Sequence, residues 1–176
     1  MKKIIVKCKL KNREEFEKKL SDIEMTFGPV VWQHDRVYVP RNYQSRSNYP
    51  RIIMRTEMKA VDKPAKYEMI LKRHIEDSGV DIVDSTVVKD YVEAVNMVQQ
   101  LGFEQKKEVS RKRQELVMGE GAVMYLDKVE DAPGFYAKIE TVIADNGIVS
   151  EAVNDLTKTF AVLGEKNVVK TPYFEM

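Results

Sequence analysis

Hydrophobic and polar residues alternate in short blocks along most of this chain. In KKIIVKCKL (residues 2–10), Ile4, Val6, Cys8 and Leu10 share one face of an extended segment, and Lys3, Ile5, Lys7 and Lys9 share the other. The two-residue period returns in DRVYVP (35–40), RIIMRTEM (51–58), YEMILKR (67–73), DIVDSTVV (81–88), EVSRKRQELV (108–117), AVMYLDKV (122–129) and FYAKIETVI (135–143). These segments predict eight strands, and the short turns between them favour antiparallel pairing. Eight antiparallel strands favour a closed barrel or a strongly curled sheet.

Three segments carry the helical period instead. KNREEFEKKLSDIEMTFG (11–28) offers Asn12 as N-cap, Phe16, Leu20 and Ile23 as the apolar stripe, and Gly28 as a stop. DYVEAVNMVQQLGF (90–103) opens at Asp90 and closes at Gly102, and SEAVNDLTKTFAVLG (150–164) opens at Ser150 and closes at Gly164. The last two share EAVN and a terminal Leu-Gly, which suggests a repeated strand-strand-helix unit. The expected fold is α+β: an eight-stranded antiparallel barrel with three flanking helices, in one domain over residues 1–176. PRNYQSRSNYPR (40–51) reads as a mobile polar loop, whose Tyr43, Tyr49, Arg41, Arg46 and Arg51 suit stacking on a base while gripping phosphates.

Charge sharpens this picture. The 29 basic and 28 acidic side chains nearly cancel, which argues against a bulk nucleic-acid or membrane binder and leaves a concentrated local site open. Cys8 is the only cysteine, so an internal disulfide is excluded and a buried thiol in a reducing compartment is expected. Lysines interrupt the first apolar run before a secretory h-region could form, and no stretch approaches a membrane span, so a cytoplasmic protein is expected. The polar parity of the strands collects Lys3, Lys7, Lys9, Arg51, Arg55, Lys72, Arg111, Arg113 and Lys138 against Glu57, Glu68, Glu115, Asp127 and Glu140. Such groups are costly in a dry barrel, so they face either a wet lumen that holds an ion or bulk solvent on a half-exposed sheet. His34 and His74 lack neighbours at metal-ligand spacing and read as surface or turn residues, and Trp32 reads as core.

Several of these segments together resemble the CYTH family, the triphosphate tunnel metalloenzymes that include class IV adenylyl cyclases and thiamine triphosphatases. QHDRVY (33–38), IIMR ending at Arg55, ILKR with Lys72, VVKDYVEAVNMVQQLGF (87–103), VSRKR with Arg111 and Arg113, YLDKVED with Asp127, GFYAKIE (134–140) and TPYFEM (171–176) follow the family's order along nearly the whole chain. The resemblance implies a tunnel in which Lys7, Lys9, Arg55, Lys72, Arg111 and Arg113 bind phosphate. It also implies that Asp127 and Glu140 serve as catalytic and metal-binding residues for magnesium or manganese. The departures are equally specific. The family's opening Glu-x-Glu-x-Lys reads Lys3, Ile5, Lys7 here, and its closing Glu-Ile-Glu reads Lys138, Ile139, Glu140. Lys3 and Lys138 therefore stand as phosphate ligands in carboxylate positions, and ammonium groups cannot activate water as a divalent cation does. The expected function is binding of an organic triphosphate or inorganic polyphosphate, with metal-dependent catalysis weakened or lost. An RNA 5′-triphosphate end is a further candidate ligand, and an active triphosphate phosphohydrolase or adenylyl cyclase is the competing expectation.

Overall fold

The computed structural model describes residues 2–44, 49–60, 63–75, 80–119, 121–144 and 146–176. Along the chain come β1 (Lys2–Lys9), α1 (Arg13–Ser21), β2 (Val31–Pro40), β3 (Arg51–Met58), β4 (Lys66–Ile75) and β5 (Val80–Val87). Then follow α2 (Tyr91–Gln100), β6 (Phe103–Gly119), β7 (Ala122–Val129), β8 (Tyr136–Ile143), α3 (Val149–Val162) and a 3-10 turn at Tyr173–Glu175. The strands form a closed antiparallel barrel in the order β1-β5-β4-β3-β2-β6-β7-β8, as the alternation predicts. β4–β5–α2 and β7–β8–α3 are the two strand-strand-helix units behind the repeated EAVN.

Alternation sorts the side chains into an apolar outside and a charged inside. Ile4, Val6 and Cys8 point outward and pack with Phe16 and Leu20 of α1 and Leu156 and Phe160 of α3. Tyr38, Ile52 and Met54 do the same beneath Val98 of α2. The principal cores thus lie between barrel and helices, which leaves the other strand face free to carry charge. A third cluster, including Val37, Ile53, Val109 and Phe174, fills one end of the lumen. Among the described residues, no helix is long and apolar enough to cross a membrane.

Element ends correct several expectations. α1 stops at Ser21 rather than running to Gly28, and Glu24 turns the chain with φ of 59°. Ile23 accordingly lies 57 % exposed outside the helix. Asn12 does cap it, accepting from the amides of Glu14 and Glu15 at 2.9 and 3.3 Å. α3 starts at Val149, one residue ahead of Ser150. β2 extends back to Val31, and Trp32 lies on its outer face at 40 % exposure instead of in the core. Gly102 and Gly164, at φ near +87° and +84°, occupy the left-handed position after α2 and α3, which explains the recurrent Leu-Gly.

The barrel seam is uneven. β1 pairs with β8 along its whole length, from Lys2 opposite Ile143 to Lys9 opposite Tyr136. With β5 its register is a single pair, Lys3 opposite Asp81. Farther along β1, the C-terminal segment takes over: Val168 bridges Cys8, the Val169 amide donates to the Lys7 carbonyl at 2.7 Å, and the Lys9 amide donates to Asn167 at 3.0 Å. An otherwise open strand edge is thereby covered. The same segment then carries Tyr173 and Phe174 into the end of the lumen.

Candidate functional site: a two-chambered cationic tunnel

Odd-numbered residues of β1, β2, β3 and β6 and their counterparts on the other strands line the lumen, which holds two cavities of about 240 and 230 Å³. Arg55, Lys72, Arg113 and Lys138 border both and form a cationic waist. The inner chamber, at the end closed by Tyr173 and Phe174, has eight cationic lining side chains against two acidic ones, Asp35 and Glu175. The outer chamber has six cationic side chains against Glu57, Glu68, Glu115 and Glu140. Positive potential is therefore concentrated in the inner chamber, where low-dielectric walls strengthen its action on an anion.

The arginines are held in place by carboxylates. Arg55 grips Asp35 with Nε and Nη2 at 2.8 and 3.0 Å, and Arg111 reaches the same carboxylate at 2.6 Å while its Nε donates to Gln33 at 3.0 Å. Burial alone would raise the Asp35 pKa, but the two guanidinium groups hold it far below the usual carboxylate range. Gln33 passes the network on by donating to Glu57 at 2.8 Å. Asp35 is the central residue that the sequence reading missed. Its cue was parity, since it shares a strand face with Gln33 and Val37.

Arg113 forms a two-pronged pair with Asp127, both contacts at 2.7 Å, and Tyr173 donates to the same carboxylate at 2.9 Å. Burial opposes the Asp127 charge, yet Arg113 holds its pKa at about 2. Three guanidinium groups expected to face phosphate, those of Arg55, Arg111 and Arg113, are thus turned toward carboxylates, and the Nη1 of Arg55 also stands 3.9 Å from Glu68. Lys138 and Lys3, the latter at 3.4 Å, both donate to Glu140. Burial disfavours the Glu140 charge, but Lys138, Lys3 and Lys72 together depress its pKa well below normal.

These contacts correct the expected metal pair. Asp127 lies opposite Tyr136 and Glu140 opposite Val123, four residues apart along the β7–β8 ladder, or roughly 13 Å at strand rise. That spacing and the cations already on each carboxylate do not suit one magnesium or manganese ion shared between them. Among the described residues, no three His, Cys, Asp or Glu side chains converge as a metal site. As they stand, Asp127 and Glu140 are each engaged by cations and do not form one shared divalent-cation site.

The remaining expected residues divide. Lys7 and Arg51 line the inner chamber, Lys3 the outer, and Lys72 both. Lys9 has the right parity but lines neither cavity, and its stem lies beside the Gly134 turn. Of the polar loop, Arg51 belongs to β3, and Tyr43 folds inward to donate to Glu175 at 2.8 Å with its ring 6.3 Å from Phe174. Arg46 lies outside the described residues. His34 sits on the outer face of β2, 2.9 Å from the Ser110 hydroxyl and 3.3 Å from Glu108.

The sequence matches no family model and no curated protein. Solved structures match in fold. A Pyrococcus horikoshii protein aligns with a TM-score of 0.83 at 19 % identity, covering 98 % of this chain and 96 % of its own. A Vibrio parahaemolyticus protein described as a candidate adenylate cyclase gives 0.79 at 15 % identity over 98 % and 95 % of the two chains. A Hippeastrum protein described as a candidate adenylyl cyclase with a dominant triphosphatase activity gives 0.58 at 14 % identity over 92 % and 88 %. At these identities the likeness is one of fold, and it agrees with the barrel expected from the resemblance to the CYTH family.

Proposed function

We propose that this protein binds the phosphate chain of an organic triphosphate or of inorganic polyphosphate inside its tunnel, and that its metal-dependent catalysis is weakened or lost. The observation that carries this reading is the inner chamber, where eight cationic side chains face two carboxylates; four of the eight, Arg55, Lys72, Arg113 and Lys138, form the waist shared with the outer chamber. Such an excess is unfavourable in an empty barrel and favours a polyanion that neutralises it. The neighbours described as adenylate cyclase and triphosphatase support a triphosphate as the class of ligand. The weak-catalysis half rests on β1, where no carboxylate lines the lumen, and on the engagement of Asp127 and Glu140 by Arg113, Lys138 and Lys3.

The test is thermal stability against tripolyphosphate, ATP and thiamine triphosphate, each in EDTA and with magnesium or manganese. Tripolyphosphate at a hundred times its dissociation constant should add about 2.7 kcal/mol in EDTA. Stabilisation only with a divalent cation, accompanied by release of phosphate, pyrophosphate or cyclic nucleotide, would instead establish a metal-dependent enzyme, with a triphosphatase activity of the kind described for the Hippeastrum neighbour as one form of it.

A further inference from the structure

Lys7 has an unusual setting within the inner chamber. It is 9 % exposed, and its ammonium donates to the Thr171 carbonyl while standing 4.1 Å from the centre of the Tyr173 ring. Neither partner carries a negative charge. Directly across the strand pair from Lys7 is Lys138 of β8, a like-charged neighbour in the position where a carboxylate would stabilise it. Lys72 of β4, Arg51 of β3, Arg111 of β6 and Lys170 of the C-terminal segment line the same chamber.

The acidic groups near it are already engaged. Asp127 of β7 is held by Arg113 and Tyr173, and Asp35 of β2 by Arg55 and Arg111. Glu175 of the C-terminal turn accepts from Tyr43. β5 presents Val83 and Ser85 to the lumen, and α3 contributes Val153 and Thr157 to the chamber lining. Burial first, and then the Lys72, Arg111 and Arg51 charges, lower the Lys7 pKa to about 7, against an opposing pull from Asp127. At slightly alkaline pH the empty chamber therefore holds a mostly neutral Lys7 amine beside the permanent guanidinium charges of Arg51 and Arg111, while burial and Arg113 also lower the pKa of Lys138 against the pull of Glu140.

An anion changes this balance. A phosphate group beside Lys7 supplies the opposite charge that the site lacks and screens the neighbouring cations, so the charged form becomes favoured. We propose that the inner chamber takes up its anionic ligand together with one proton, which binds the Lys7 amine to form its ammonium. This deepens the proposed function and rests on it. The proton comes from solvent or buffer, and no covalent bond to the ligand is made. Affinity then falls as pH rises above neutrality, because the proton becomes scarcer, by up to tenfold per unit.

Calorimetric titration with tripolyphosphate in EDTA at pH 8, in Tris and in HEPES, reads the protons exchanged from the dependence of the enthalpy on the buffer. The phosphate chain titrates as well, so the comparison is with Lys7→Arg, which remains charged throughout. The wild type should take up about 0.9 proton more per ligand than Lys7→Arg, since a group of pKa near 7 is roughly one-tenth protonated at pH 8. Equal uptake in two proteins that both bind would overturn the coupling and leave tripolyphosphate binding standing. Absence of binding by the wild type, with or without metal, would overturn the binding function and the coupling with it. A second measurement serves even if Lys7→Arg fails to fold: the Lys7 Cε carbon shift, followed by NMR in the wild type. A midpoint near 7 without ligand, with a return to the charged shift when tripolyphosphate is added at pH 8, supports the proposal. A midpoint near 10 without ligand overturns it.

Discussion

Replacing Arg113 by methionine is a severe test of how the tunnel is built. Nothing in the side-chain pattern of β6 separates Arg113 from a free phosphate ligand, and on that view its removal would relieve crowding and leave stability intact. The structure argues the opposite. Arg113 is 6 % exposed, Asp127 is fully buried, and two charge-assisted bonds of 2.7 Å join them. Methionine fills much of the arginine's length but leaves Asp127 with Tyr173 as its remaining hydrogen-bond donor. Breaking a buried pair by removing one partner costs about 3–5 kcal/mol. For a chain of this size that corresponds to a fall in Tm of roughly 10 °C. Urea unfolding followed by circular dichroism measures the cost directly. Arg113→Met/Asp127→Leu removes both charges and should recover most of the loss, although the Tyr173 hydroxyl then lacks its acceptor. A loss below about 1 kcal/mol for the single variant, or no recovery in the double, would refute the structural role assigned to this pair.

Two further predictions follow from the lumen charges. The Lys7 pKa is lower folded than unfolded, so between pH 7 and 8.5 the unfolded chain binds more protons and stability of the ligand-free protein should rise with pH. The gain is about 1.5 kcal/mol if Lys7 acts alone; the Cys8 thiol, pushed up to about 11 by burial, opposes it only as the unfolded thiol ionises near its ordinary pKa of about 8.5, at the top of the window. Denaturation midpoints that are flat or fall across that window would contradict it. Lys3→Glu/Ile5→Glu/Lys138→Glu places three new carboxylates beside Glu140 on strands that already line the lumen. It should weaken tripolyphosphate binding in EDTA, and manganese should restore it with slight hydrolysis above the parent's. A parent that is already fast and metal-dependent would refute this. A triple variant that stays folded and shows no response to manganese would count equally against it.

Local pattern determined much of this protein. The two-residue period of Ile4, Val6 and Cys8 against Lys3 and Lys7 identified both the strand and its two faces, because a strand's side-chain direction follows from backbone geometry alone. Asn12, Asp90 and the two Leu-Gly endings marked helix ends for the same local reason. Which charges meet is a different kind of fact. Arg113 and Asp127 are 14 residues apart, Arg111 and Asp35 76, and Tyr173 reaches Asp127 across 46. Each pairing depends on register around a closed barrel and on where the C-terminal segment folds back. Composition could therefore supply a surplus of basic lumen positions, but only the tertiary structure decided that the arginines hold carboxylates. It also decided that Asp127 and Glu140 stand four residues apart along one ladder, each held by cations, and that Lys7 faces Lys138 directly across the β1–β8 pair with Asp127 as its opposing charge.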